Sequence, residues 1–493
     1  MGRLARRGLL YFAAALVGLA GCAQLAGIDQ TSSTDPDLVS LTVERISIGA
    51  TVSRAPQDLS ASSASFLVED EAAVEGFTRV PADLADVNVW TAPIATGTPP
   101  VQFDLPDFPT PRQHVWELPS RTFSLGYSVY EHPNPTPAPD MASLTVGATL
   151  PTPYVAGEAF TFFSAGTWNA RGFTGTELPV GNATVLGPTT FPFSSTSKIT
   201  GRPHEKITTA DAVFVLRYLA NRLSGVMQAD PFDQTGTDTV MGALTEVPAD
   251  RTLDVTIAPD AVAARYVPLR PTMGPVNRSW NLAAAPGVDV SATLGIQLHA
   301  GSVAATAPGA LTATYGNPFE ARGWRTVLLW ATSATRTTTP PTGTLPVTLR
   351  AELFTYTEPT AGMMLTLPVG LPELITFDGM PLSTDHLMIP RPTRSAKISM
   401  SAAGTDTMYQ VQLFELVPNM ANTALEYQFV IDATSTTKDL MLPPEVFVPG
   451  KLYTIRASAM AGGYANIADG DLSTRTLPLS VGFLDSGVFS VLP

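Results

Sequence analysis

The chain has 493 residues, of which 15% are charged, a formal net charge of −14 and a single cysteine, Cys22. A charged fraction well below the roughly 25% of average globular chains leaves little to cover solvated helix faces, so strands are favoured. The acidic balance, with no run of Lys or Arg after Arg7, excludes a nucleic-acid partner, and a lone cysteine excludes an intramolecular disulfide, so every domain must be held by apolar burial and hydrogen bonds.

Taken in chain order, the first element is a leader over residues 1–21. Arg3, Arg6 and Arg7 precede an uncharged run from 9 to 20, about half the length needed to span a bilayer, and small residues then lead into the only thiol. This is the layout of an export signal. Leu19, Ala20, Gly21 and Cys22 together resemble the lipobox of bacterial lipoproteins. The resemblance implies cleavage before Cys22, a diacylglyceryl thioether on its sulfur and a further acyl chain on the new amino terminus. Membrane lipid is then a partner through acylated Cys22, because two or more chains anchor stably where one does not. An unmodified thiol at an exported terminus would instead invite oxidation and intermolecular pairing. Ala23 rather than aspartate follows the cysteine, which in enterobacterial lipoproteins accompanies sorting to the outer membrane.

Residues 22–40 are small and polar and read as a flexible tether, able to reach ~55 Å at about 3.3 Å per residue. From 41 onward short apolar bursts alternate with Pro-, Gly-, Asn- and Asp-rich breaks, the pattern of antiparallel sandwiches or barrels. Strand signals fall at 41–52, 88–90, 115–116, 123–130, 159–163 and 183–186. The prolines at 133, 135, 137 and 139 make 132–140 a loop or connection. Residues 209–228 carry two signals. Ala212, Leu216, Leu219, Leu223 and Val226 share a helical face, while Val213-Phe214-Val215-Leu216 is strand-like; two strands are the expectation. Asp233 and Asp238 around Gly236 predict a hairpin turn leading through Leu244 to a strand at 253–257. Further strands are expected near 288–298, 310–315, 325–330 and 345–356, with a hairpin loop or hinge at 337–344. The expected division is a β-rich domain over 41–190, a second over 191–358 that could form one unit with the first, and a terminal sandwich over 361–493.

That last module has the clearest pattern. Ala396, Ile398 and Met400 alternate on one strand, Tyr409, Val411 and Leu413 on the next, and Tyr427, Phe429 and Ile431 on a third. Leu440 and Leu442 follow, and Pro449-Gly450 then opens a run through Tyr453, Ile455 and Ala457. This resembles the fibronectin type III fold, although the tryptophan such domains usually carry on an early strand is missing around 398–401. The resemblance implies that Tyr453 is a corner tyrosine, its ring in the core and its hydroxyl bonded to nearby backbone, and that residues 488–491 close the sheet. The fold class expected overall is all-β: multidomain antiparallel β-sandwiches with a fibronectin III/immunoglobulin-like C-terminal domain.

Sites of chemistry are sparse. His114, His132, His204, His299 and His386 show no i, i+2 or i, i+4 pair, so no metal centre and no cofactor are expected, and His204-Glu205 lacks the second histidine of a zinc protease. Distant residues could still converge on a triad. Asn466, Asp469 and Asp471 around Gly470 fit a plain turn better than a calcium loop, which needs more carboxylates. Trp116 and Trp330 lie in apolar strand patterns and are expected in cores; Trp90, Trp168, Trp280 and Trp324 could be core or a sugar-stacking platform.

The function expected from these readings is that of a lipid-anchored, non-catalytic protein of the bacterial cell envelope, binding or scaffolding at the cell surface or periplasmic face, with an envelope glycan or protein as partner. An exported hydrolase with a fibronectin-like accessory module is the alternative, marked by clustered carboxylates or a histidine beside a nucleophile. A plain structural spacer would show neither.

Overall fold

The computed structural model describes residues 38–492 apart from 71, 74–75, 96–100, 105–112, 119, 199–203, 258–276, 290–294, 304–308, 341–342, 366–369, 383–385 and 403–407. Cys22 and the lipobox residues Leu19, Ala20 and Gly21 lie outside the described residues, as does most of the expected tether. Among the described residues the regular elements are strands and short 3-10 turns. The protein is all-β, built of several packed, largely antiparallel sheets.

The first strand, Leu38–Ile48, begins inside the segment expected to be tether, because Val39 and Leu41 already face the core. It forms a hairpin with Val52–Pro56, pairs antiparallel with Val89–Pro93 and runs parallel to Thr122–Val129. A parallel neighbour cannot be reached by a tight turn, so the intervening chain must cross over. Part of that chain builds a second set of strands, Ser65–Glu69, Phe77–Pro81, Val101–Asp104 and Gln113–Leu118.

A sandwich follows. Its outer sheet orders Val185–Pro192, Ser143–Thr149 and Thr237–Ala243, with the third strand parallel to the second. This corrects the expected hairpin around Gly236: the turn exists, with Asp238 accepting from the Thr235 and Gly236 amides, but the strand after it joins the distant strand 143–149. The inner sheet carries Ala159–Ser164, Val213–Leu219 and Arg222–Gln228. Residues 209–228 are thus two strands, joined at Ala220 and Asn221, both with positive φ as a type I′ turn requires. Their helix-like pattern has a physical origin. Val213 and Val215 pack into the sandwich core with Phe162 and Phe191, while Phe214 and Leu216 face the main core on the other side. A strand buried on both faces is apolar throughout and loses its period of two.

The C-terminal module has fibronectin III-like topology. One sheet holds Pro372–Phe377, Ala396–Ala402 and Asp439–Leu442; the other holds Leu425–Ser435, Met408–Pro418, Leu452–Tyr464 and Arg475–Asp485. Arg475–Asp485, which carries Pro478, and Pro372–Phe377 are strands of the module that the sequence pattern did not announce; Phe489–Val491, expected to close the sheet, pairs at Leu452 and Tyr453 on one side and runs parallel to Leu387–Ile389 on the other. Tyr453 is the corner tyrosine: its ring is buried against Phe489, and its hydroxyl accepts from the Val448 amide at 2.8 Å and donates to the Val446 carbonyl at 3.2 Å.

Strand pairing crosses the boundary expected near 358–361. Val347–Thr357 pairs with Arg475–Asp485, and its other edge continues through Arg325–Thr338 to Asn277–Ala285. At the far edge of the terminal sandwich, Gln113–Leu118 pairs in parallel with Leu425–Ser435. One hydrogen-bonded sheet therefore contains strands from all three segments that the sequence reading separates.

Candidate functional site

On the sheet face opposite the apolar core of the terminal module, register brings polar side chains into one row. Asp432 lies opposite Gln412, Gln412 opposite Arg456, and Arg456 opposite Asp485. The row is buried. Asp485 is its most heavily bonded member: Arg456 donates Nε to Oδ1 at 2.7 Å and Nη2 to Oδ2 at 3.2 Å, the Arg350 amide donates to Oδ2 at 2.8 Å, and the Tyr427 hydroxyl does so at 3.0 Å. The Arg456 guanidinium also stacks against three rings, 4.4 Å from the Phe483 centroid, 5.3 Å from Phe414 and 5.7 Å from Tyr427. A planar, weakly hydrated cation suits this setting, where lysine would not.

Beside this pair sits Glu352. It is buried opposite Phe483 and Ser333, and its Oε1 has no hydrogen-bond partner among the described residues. Burial raises its pKa to about 8, an effect that Arg456 and Arg350 oppose and Asp485 reinforces. At neutral pH it is mostly a neutral acid, as a carboxyl without a close cation must be in a dry environment.

A second cluster gathers around His132. Its Nε2 lies 2.7 Å from Asp211 Oδ1 and its Nδ1 3.3 Å from Glu205 Oε2, which also accepts the His132 amide at 3.0 Å. Arg45 reaches Glu131 and the His132 carbonyl. The hydrogen bond to Asp211, then that to Glu205, raises the His132 pKa to about 9 against a partial burial penalty. Gly166 makes room, since a Cβ there would fall 1.2 Å from Asp211 Oδ1. The cluster has the ingredients of a triad but the wrong chemistry: an imidazole protonated at neutral pH, with both nitrogens facing carboxylates, cannot accept a proton from a nucleophile. It is an ion-paired clasp between 131–132 and 205–211.

Arg54 makes a third tie. It donates to Glu44 at 3.2 Å, to the Ser473 carbonyl at 3.2 Å and to Asp289 at 3.4 Å, joining segments more than 400 residues apart in sequence. Arg217, buried in the sandwich, is held bidentately by Glu158 at 2.7 and 2.9 Å.

The other expected sites resolve as follows. His204 Nδ1 lies 3.2 Å from Asn169 Oδ1, His299 Nδ1 donates to the Thr314 carbonyl at 2.9 Å, and the His386 amide bonds the Val488 carbonyl; the side chain of His114 lies outside the described residues. Asp471 Oδ1 accepts from the Ser473 and Thr474 amides, and Gly470 takes the left-handed conformation, so 466–471 is a capped turn. Trp90, Trp168, Trp280, Trp324 and Trp330 are all buried, so none of these five forms part of a sugar-stacking platform; the side chain of Trp116 lies outside the described residues. The clasps escaped sequence reasoning because their members lie tens to hundreds of residues apart. The one available signal was Arg456, a cation within an otherwise apolar and small-residue strand.

No family model and no curated protein matches the chain. Among solved structures, one to which it is similar is a Salmonella alpha-2-macroglobulin mutant, 10% identical, with an alignment that covers 92% of this chain and 29% of that chain at a TM-score of 0.12.

Proposed function

We propose that the protein is anchored in the bacterial envelope by acylated Cys22 and serves there in binding or scaffolding rather than catalysis. The observation that carries this reading is the string Leu19-Ala20-Gly21-Cys22 behind a short basic and apolar leader, with Cys22 the only cysteine in the chain. The architecture supports it: sheet-built modules share paired strands and buried ion pairs, an arrangement suited to presenting surface. The chemistry of His132 supports it as well, because the one described histidine beside two carboxylates is held as a cation. The partner is an envelope protein or glycan, and the burial of five tryptophans favours the protein.

Cys22→Ser tests the anchor. The variant is expected to lose palmitate labelling and to leave the membrane fraction or keep its leader; unchanged labelling overturns the assignment. Robust turnover of an ester, peptide or glycoside that one point mutation abolishes would overturn the non-catalytic reading.

A further inference from the structure

Among the described residues, methionines range from fully buried to fully displayed, with Met363, Met380 and Met441 half-buried against the core. Met227, Met400, Met408 and Met460 are buried in cores, the ordinary place for a flexible apolar side chain. Five others are displayed to solvent: Met420 at 107% exposure, Met141 at 97%, Met364 at 67%, Met388 at 57% and Met241 at 50%. Three of these stand on strands. Met241 follows buried Val240, Met364 precedes buried Leu365 and Met388 precedes buried Ile389, so strand alternation places all three on the outer face, where a polar residue is the ordinary choice; the Met241 sulfur lies there over Gly147 of the paired strand, within 2.8 Å of where a Cβ would stand. The other two stand in turns. Met141 holds a φ of 58°, uncommon for a non-glycine residue, in a turn closed by the Ala142 amide on the Pro139 carbonyl. Met420 follows Asn419, whose side chain accepts the Thr423 amide at 2.8 Å to close the hairpin end.

An outward methionine gains little from burial and offers no charge or strong hydrogen bond. Its distinctive property is a sulfur that two-electron oxidants convert to sulfoxide. We propose that Met141, Met241, Met364, Met388 and Met420 are oxidation sites that consume hydroperoxides at the protein surface without loss of fold. The thioether sulfur donates an electron pair to the terminal peroxide oxygen; an S–O bond forms, the O–O bond breaks, and the leaving oxygen takes a proton to depart as water or an alcohol. Sulfur is oxidised by two electrons and the peroxide is reduced by two. The new sulfoxide is polar, so it needs hydration, which these five positions supply and the core positions do not.

The test is peptide mass spectrometry of the full-length protein, in membranes and in detergent, after graded hydrogen peroxide. The expected result is one added oxygen at each of the five sites on the order of tenfold faster than at Met227, Met400, Met408 and Met460, with an unchanged thermal midpoint and reversal by methionine sulfoxide reductases. Replacing the five by leucine should remove the fast phase of peroxide consumption. Equal rates at exposed and buried methionines, or a midpoint that falls as the five are oxidised, would overturn the proposal. Protection of the five in membranes but not in detergent would overturn it in favour of a covered docking surface.

Discussion

Asp485 shows how much can depend on one carboxylate. It accepts four hydrogen bonds from three strands and neutralises Arg456 inside a cage of aromatic rings. Removing one partner of a buried pair leaves the other charge uncompensated, so Asp485→Ala is expected to destabilise by about 3–5 kcal/mol, read by urea denaturation. Tyr453→Phe keeps the buried ring and deletes only the corner hydroxyl, which should cost about 1 kcal/mol in the same assay. Two residues lower stability as pH rises, and His299, whose pKa burial lowers, opposes them at the acid end of the range. The folded-state pKa of His132 is raised, so its ion pairs contribute fully below about 6.5 and that contribution is lost as pH rises towards about 9. Glu352 acts in the same direction over a lower window: the native state holds the proton and the unfolded chain releases it, so stability falls as pH rises from 4.5 towards about 8. Denaturation midpoints should therefore decline between pH 5 and pH 9. Glu352→Gln should flatten the lower part of that decline and raise stability at neutral pH, and a variant with an unaltered slope would refute this account.

Among the elements, the strand Val213–Leu219 is the most informative. Its two faces serve two cores, with Val215 in one and Leu216 in the other. Val215→Ala and Leu216→Ala should each destabilise, Leu216→Ala by roughly 2–5 kcal/mol, whereas an ordinary half-exposed strand would tolerate one of the pair. The existence of most strands was legible because alternation and breakers are local. The corner role of Tyr453 came from the resemblance of the run after Pro449-Gly450 to the fibronectin type III fold, not from alternation alone. Arg475–Asp485 was hidden by Pro478, and Ser143–Thr149 by Gly147, residues that read as breaks although each sits in a strand. The clasp at His132 left no local trace: Glu205 and Asp211 lie more than 70 residues further along the chain.

For the molecule as a whole, the shared sheet makes the terminal sandwich dependent on its neighbours. Residues 361–493 alone would lose the strand Val347–Thr357 beside Arg475–Asp485 and the strand Gln113–Leu118 beside Leu425–Ser435. They would also lose Glu352 from beside the buried polar row and the Arg350 amide from Asp485. Expressed by itself, that segment should therefore unfold at markedly lower denaturant than the intact protein, and extending it back to 343 should recover part of the difference; equal midpoints would show that it is autonomous. What the sequence determined by itself was the all-β class and five of the strands of the fibronectin III-like module, because side-chain alternation records which face of a strand is buried; its first and last strands, Pro372–Phe377 and Arg475–Asp485, came from the structure. Only the tertiary structure decided that 38–48 lies beside 122–129, that 113–118 extends the last module, and that charges from remote segments meet in closed pairs. Strands join through backbone groups that every residue carries alike, so partners far apart in the chain are chosen by packing and charge complementarity in three dimensions.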